Sequence, residues 1–204
     1  MSLIPPGPGP GSAQRLGAER SDALRNRERL LSAARELISE CGAEGLTMDR
    51  LAEQAGVGKG TVFRRFGSRA GLMQTLLSES EAEFQARFMF GPPPLGPGAP
   101  GLERLIAFGA GRIGYVMEYG DLALAADSAS RGLAEVPAAA LWQRHIEVLL
   151  REEGFEPEPW LMAGSLASTL DPARLLRLAR GHGVTVDRLV ASWTDLVTRV
   201  VGAA

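Results

Sequence analysis

Residues Leu46–Leu72, LTMDRLAEQAGVGKGTVFRRFGSRAGL, decide how this chain of 204 residues folds. Thr47 is placed to N-cap a short helix whose apolar stripe is Met48, Leu51, Ala52 and Ala55. Gly56 ends that helix, and Val57 with Gly58 makes a tight turn. A second helix runs from about Lys59 to Phe66, with Val62, Phe63 and Phe66 expected to face inward and Gly67 to stop it. Two short helices joined by such a turn form a helix–turn–helix, whose second helix lies in the major groove of DNA.

Charge supports that reading. The chain carries a formal net charge of −2, yet Val57–Arg69 holds Lys59, Arg64, Arg65 and Arg69 and no acid. Residues 15–70 hold eleven Lys/Arg against eight Asp/Glu, and residues 71–204 hold eleven against sixteen. A basic head would meet phosphates, which supply most non-specific affinity for DNA, while an acidic body stays clear of them.

The longer stretch Arg25–Leu77, RNRERLLSAARELISECGAEGLTMDRLAEQAGVGKGTVFRRFGSRAGLMQTLL, resembles the DNA-binding domain of the TetR family of bacterial transcriptional regulators. The resemblance implies roles by position. Thr47 falls where the family contacts a phosphate, and Lys59, Gly60, Thr61 and Arg64 fall where side chains or backbone face bases. Arg65 and Arg69 occupy phosphate-binding positions. Phe63 stands in the DNA-facing set where many members have Tyr, and Gly58 where Ser is frequent, so two hydroxyls are missing. Arg64 and Lys59 are therefore expected to carry more of the recognition, as donors to guanine O6 and N7.

Around this core the chain reads as all-α. Residues 1–21, Pro/Gly-rich and then polar, are expected to form a disordered arm. Residues 22–68 form a three-helix DNA-binding domain, and 69–204 a helical ligand-binding and dimerisation domain. The first helix of the DNA-binding domain begins near Ser21 or Asp22, with Leu30, Ala34, Leu37, Ile38 and Cys41 on one face. Ser68 caps a long helix with Leu72, Met73, Leu76, Leu77, Phe84 and Phe88 inside, and GPPPLGPGAPG at 91–101 breaks the chain. Helices follow at about Leu102–Tyr119, Asp121–Ser130, Pro137–Glu153 and Pro159–Thr169. Asp171-Pro172 starts another, interrupted by Gly181 and Gly183, and Val186–Val201 forms the last. The stripe of Leu189, Trp193 and Val197 on that last helix is expected at the centre of a homodimer.

The helix from Leu102 has a second face, Phe108, Arg112, Tyr115 and Tyr119. With Trp142, His145 and Trp160 these could line an apolar pocket or simply fill a core. Arg112 could orient an acidic ligand group or pair with a body carboxylate.

Several classes are disfavoured. No apolar run approaches the ~18 residues of a membrane span, and the first residues lack a signal peptide's basic start, which together point to the cytoplasm. One cysteine allows no internal disulfide. His145 and His182 lack metal-ligand spacing, Glu152-Glu153 reads as a solvated helix end, and no catalytic motif occurs. No cofactor is expected, and an enzyme is not expected. The expectation is a homodimeric repressor that binds a pseudo-palindromic duplex operator and is released by a small apolar or aromatic effector. The alternative is a ligand-free DNA-binding or protein-interaction module whose body is only a scaffold.

Overall fold

The computed structural model describes residues 10–129, 137–156 and 158–202. Among them every regular element is helical: α1 (Pro10–Gly45), α2 (Met48–Gln54), α3 (Lys59–Phe66), α4 (Arg69–Phe90), α5 (Gly101–Ala129), α6 (Pro137–Glu152), α7 (Pro159–Thr169), α8 (Pro172–Leu176) and α9 (Val186–Gly202). One wide π turn, Arg177–Gly181, extends α8. The chain divides between Leu72 and Met73 into two compact units, slightly beyond the boundary expected after Ser68.

In the head, α1 begins at Pro10, so part of the stretch read as an arm is helical; residues 1–9 lie outside the described residues. The helix breaks at Gly42 (φ 72, ψ 171), with a last turn continuing to Gly45. Leu30, Leu31, Ala34, Leu37 and Ile38 of α1 meet Leu46, Met48, Leu51, Ala52, Val62 and Phe66, all buried. Cys41 is only half-buried, and its Sγ donates to Leu37 O at 2.8 Å. Thr47 caps α2 by accepting from the Arg50 amide at 3.2 Å. Gly56 takes the left-handed conformation (φ 63) that lets the chain leave α2. Phe63 departs from expectation, at 41% exposed. Val62 and Phe66, four residues apart, share the inward stripe of this short helix, and Phe63 falls one step off its edge.

In the body, α5 is one helix through Gly120 and Asp121, where the sequence suggested a break and a separate helix to Ser130. Gly120 is small for a packing reason: a Cβ there would come within 2.9 Å of Leu176 Cδ1 on α8. Gly109 has the same use, because a Cβ would run into the Trp193 indole of α9. Trp193 donates its Nε1–H to Leu105 O at 2.9 Å, and Leu189, Trp193 and Val197 are 7%, 3% and 0% exposed. That corrects the expected dimer centre, since these three side chains are buried inside the protomer, Trp193 against α5. Glu152 and Glu153 also have work. Glu153 Oε1 accepts from the Leu102 amide at 2.9 Å, capping α5, and Glu152 pairs with Arg104 at 3.4 Å. Asp171 caps α8 as expected, accepting from the Arg174 amide at 2.8 Å.

Gly109→Ala should lower stability in urea denaturation by about 1–3 kcal/mol through overpacking against Trp193. Gly114→Ala, on the same helix with nothing within 4 Å of a Cβ, should be neutral or stabilising by up to ~1 kcal/mol. Equal responses would refute the steric role of Gly109.

Candidate nucleic-acid interface and ligand cavity

In the head, α3 turns Val62 and Phe66 inward and leaves Lys59, Gly60, Phe63, Arg64 and Arg65 exposed, with Thr61 half-exposed. Gly58 and Gly60 have nothing within 4 Å of where a Cβ would stand, so the packing of this unit does not require glycine there. Arg64 and Arg65 make no hydrogen bond or ion pair with the described residues, whereas the other two cations of the basic stretch are occupied. Lys59 Nζ sits 2.7 Å from Asp49 Oδ1 and 5.8 Å from the Phe63 ring centre. Arg69 donates from Nε to Leu46 O at 2.8 Å and from Nη2 to Ala43 O at 2.7 Å. Those carbonyls end the last turn of α1 and precede α2, so Arg69 holds the helix–turn–helix together.

In the body, a cavity of about 580 Å³ opens between α5, α6, α7 and the start of α8. Of the residues expected to form a pocket, Phe108, Arg112, Trp142 and Trp160 line it. Phe108 and Arg112 are 0% and 3% exposed and make its floor; Trp160, 61% exposed, stands at its rim. Gln143, Arg144, Glu147, Gly164 and Asp171, which periodicity did not single out, are among the other residues of its wall. The Arg112 guanidinium lies 3.8 Å from the Trp142 ring centre and 4.7 Å from that of Tyr115. Burial pushes its pKa down to about 10, with Tyr115, Glu81 and Asp171 opposing, so it stays cationic at neutral pH. The anticipated salt bridge to a body carboxylate is not formed among the described residues, and Nη1 has no hydrogen-bond partner.

Tyr115, Tyr119 and His145 do not line this cavity, contrary to expectation; they belong to a packed aromatic core. Tyr115 lies 5.9 Å from Phe84 and 5.3 Å from Tyr119, and its hydroxyl is 3.2 Å from that of Ser80. Desolvation pushes the Tyr115 phenol up to about 12. His145 sits 4.5 Å from Phe88 and 5.1 Å from Phe108, ring centre to ring centre. Burial first, and the Arg104 charge second, push its pKa down to about 4. Helical periodicity shows which residues share a face; it does not separate the turns that meet another helix from those that meet a void.

With this geometry in view, comparison with known proteins is informative. Residues 30–76 match the family model described as bacterial regulatory proteins, tetR family. An HTH-type transcriptional regulator of Staphylococcus aureus is 33% identical over 69 residues, 34% of this chain and 37% of that protein. The match thus spans little more than a third of that relative's length. A TetR-family regulator from Pectobacterium atrosepticum superposes with TM-score 0.65 at 19% identity, over 89% of this chain and 94% of that one. The regulator FadR from Bacillus subtilis, solved in complex with stearoyl-CoA, superposes with TM-score 0.59 at 18% identity, over 84% and 97%. The body therefore shares the fold of these regulators, and no helix among the described residues is long and apolar enough to cross a membrane.

Two outcomes follow from the site geometry. Arg69→Met should destabilise the head by about 1–3 kcal/mol, because two charge-assisted bonds to carbonyls are lost; an unchanged melting temperature would refute that role. Acid should destabilise the body through His145. The unfolded chain takes up that proton near pH 6.5 and the fold resists it down to about 4. The His145 contribution is thus complete above pH 6.5 and drains as pH falls toward 4. His145→Phe should flatten the melting-temperature profile in that window, and a profile as steep as the parent's would count against it.

Proposed function

We infer, for a chain whose N-terminal domain is of the tetR family and whose fold is that of TetR-family regulators, that it is a dimeric, DNA-binding repressor released from its operator by a small effector held in the body. The observation that carries this reading is the outward face of α3, where Arg64 and Arg65 are exposed and uncommitted beside a glycine that internal packing does not require. Such a face suits a major groove: Arg64 reaches base edges, Gly60 lets the backbone approach, and Arg65 and the Thr47 hydroxyl meet phosphates. Lys59 joins them by exchanging Asp49 for DNA.

The effector enters the body cavity, whose size is that of small-molecule sites. Occupancy alters operator affinity only as far as the ligand binds the two states of the protein differently, typically by about 1–3 kcal/mol. The single covalent path between the two units is α4. The scaffold-only alternative draws some support from the filled core around Tyr115, but the void beside Trp142 favours an effector.

Selection from random duplexes should enrich a dyad-symmetric site, and enrichment of none would refute the dimeric reader. On the best site, Arg64→Ala should cost about 1–3 kcal/mol and relax base preference. Gly60→Ala should fold normally and still weaken the specific complex; binding as tight as the parent's would remove Gly60 from the interface.

A further inference from the structure

We propose that the body cavity is a site for a monoanionic amphiphile, a carboxylic acid whose head pairs with Arg112 and whose apolar part extends toward Trp160. This deepens the effector reading and rests on it. Arg112 is 3% exposed at the cavity floor, yet its Nη1 donor has no partner. Leaving a charged donor buried and unpaired is costly unless something else enters to meet it. Stacking against Trp142 and Tyr115, at 3.8 and 4.7 Å, fixes the guanidinium plane and offsets part of its lost hydration, and Tyr115 also offers it a hydrogen bond, while Nη1 stays unused. The guanidinium is therefore held in place with its hydrogen-bonding capacity partly free.

The protein's own carboxylates are unsuited to fill that role. Glu147, at the cavity wall and 5% exposed, is already held by Arg144 at 2.8 Å and Arg151 at 3.0 Å. Asp171 lies at the exposed rim and uses Oδ1 to cap α8. Glu81 feels the Arg112 charge, but neither it nor Asp171 comes within ion-pair distance. One positive charge on the floor is neutralised by one negative charge. Arg144, the other cation lining the cavity, is already paired with Glu147, so a dianionic phosphate would leave one charge unmatched and face Asp171 besides, and the geometry favours a carboxylate. Above the floor Trp142, Ile146 and Leu170 give the wall an apolar part beside its polar residues, and at about 580 Å³ the cavity is far larger than a carboxylate alone requires.

The test measures binding of decanoate and 4-phenylbutyrate to the full chain by calorimetry, against decanamide, 4-phenylbutyramide and decyl phosphate. The acids should bind at least tenfold more tightly than their amides and more tightly than the phosphate ester. Arg112→Met should abolish the preference for acid over amide, and Arg112→Lys should retain part of it. If Arg112→Met does not fold, judged by circular dichroism, the acid-to-amide ratio on the parent protein decides alone. Equal or tighter binding of the amides, tighter binding of decyl phosphate, or no binding of either acid overturns the proposal. Equal affinity for acid and amide, with both weakening operator binding, would overturn the anion assignment and leave the effector cavity standing. No binding of any probe would remove both while leaving operator recognition untouched.

Discussion

The body is organised by the absence of side chains at a few points along α5. Trp193 from α9 occupies the space over Gly109, Phe84 from α4 presses on Gly111, and Leu176 from α8 lies on Gly120. In each case a bulky side chain from a different helix meets backbone where any Cβ would collide. Close-packed interiors derive their uniqueness from such size complementarity, because a neighbour shifted by one residue along α5 would meet a side chain instead of a notch. The indole adds a direction, since its one donor must reach Leu105 O. With α5 packed on so many sides, the residues left on its remaining flank, Phe108 and Arg112, become the floor of the cavity.

The head meets the opposite demand. A short recognition helix can spare few side chains for its own packing if the rest are to face outward, and α3 buries only Val62 and Phe66. Its position is then fixed from other elements. Arg29 from α1 donates to Ala55 O at 2.7 Å at the end of α2, and Arg69 from α4 ties down the segment before it. Arginines of a basic domain thus divide between holding the frame and presenting charge. Position in the sequence does not tell these two uses apart.

Much of this architecture was legible from the residues. Thr47, Gly56 and Gly67 mark the helix–turn–helix because each has a local job that only a few residue types perform, and Pro159 and Asp171-Pro172 mark helix starts for the same reason. Long-range packing was not legible. Gly120 reads as a breaker until Leu176 is seen against it, and the stripe of Leu189, Trp193 and Val197 reads as an interface until Trp193 is found on Gly109. The candidate sites show the same division. Periodicity correctly grouped Phe108, Arg112, Tyr115 and Tyr119 on one face, but the void meets only the first two. Asp171 could have been anticipated at the wall, since a cap at the start of α8 must lie at the open end of a helix.

The Lys59–Asp49 pair bears on how such a protein would search a genome. Both side chains are well exposed, at 60% and 66%, so the pair is weak, at most about 1 kcal/mol, and DNA could exchange it. Until that exchange occurs, Lys59 is already neutralised and has no condensed cation to displace from a duplex. If α3 reads DNA as proposed, it would engage random sequence through Arg64 and Arg65 without Lys59, and the salt exponent of loose binding would fall by roughly 0.9 for the withheld charge. Residence on a wrong site would shorten accordingly, while a right site that offered Lys59 a base edge would recover the full electrostatic grip. A single surface carboxylate on α2 would in this way trade non-specific adhesion for faster sampling of sequence.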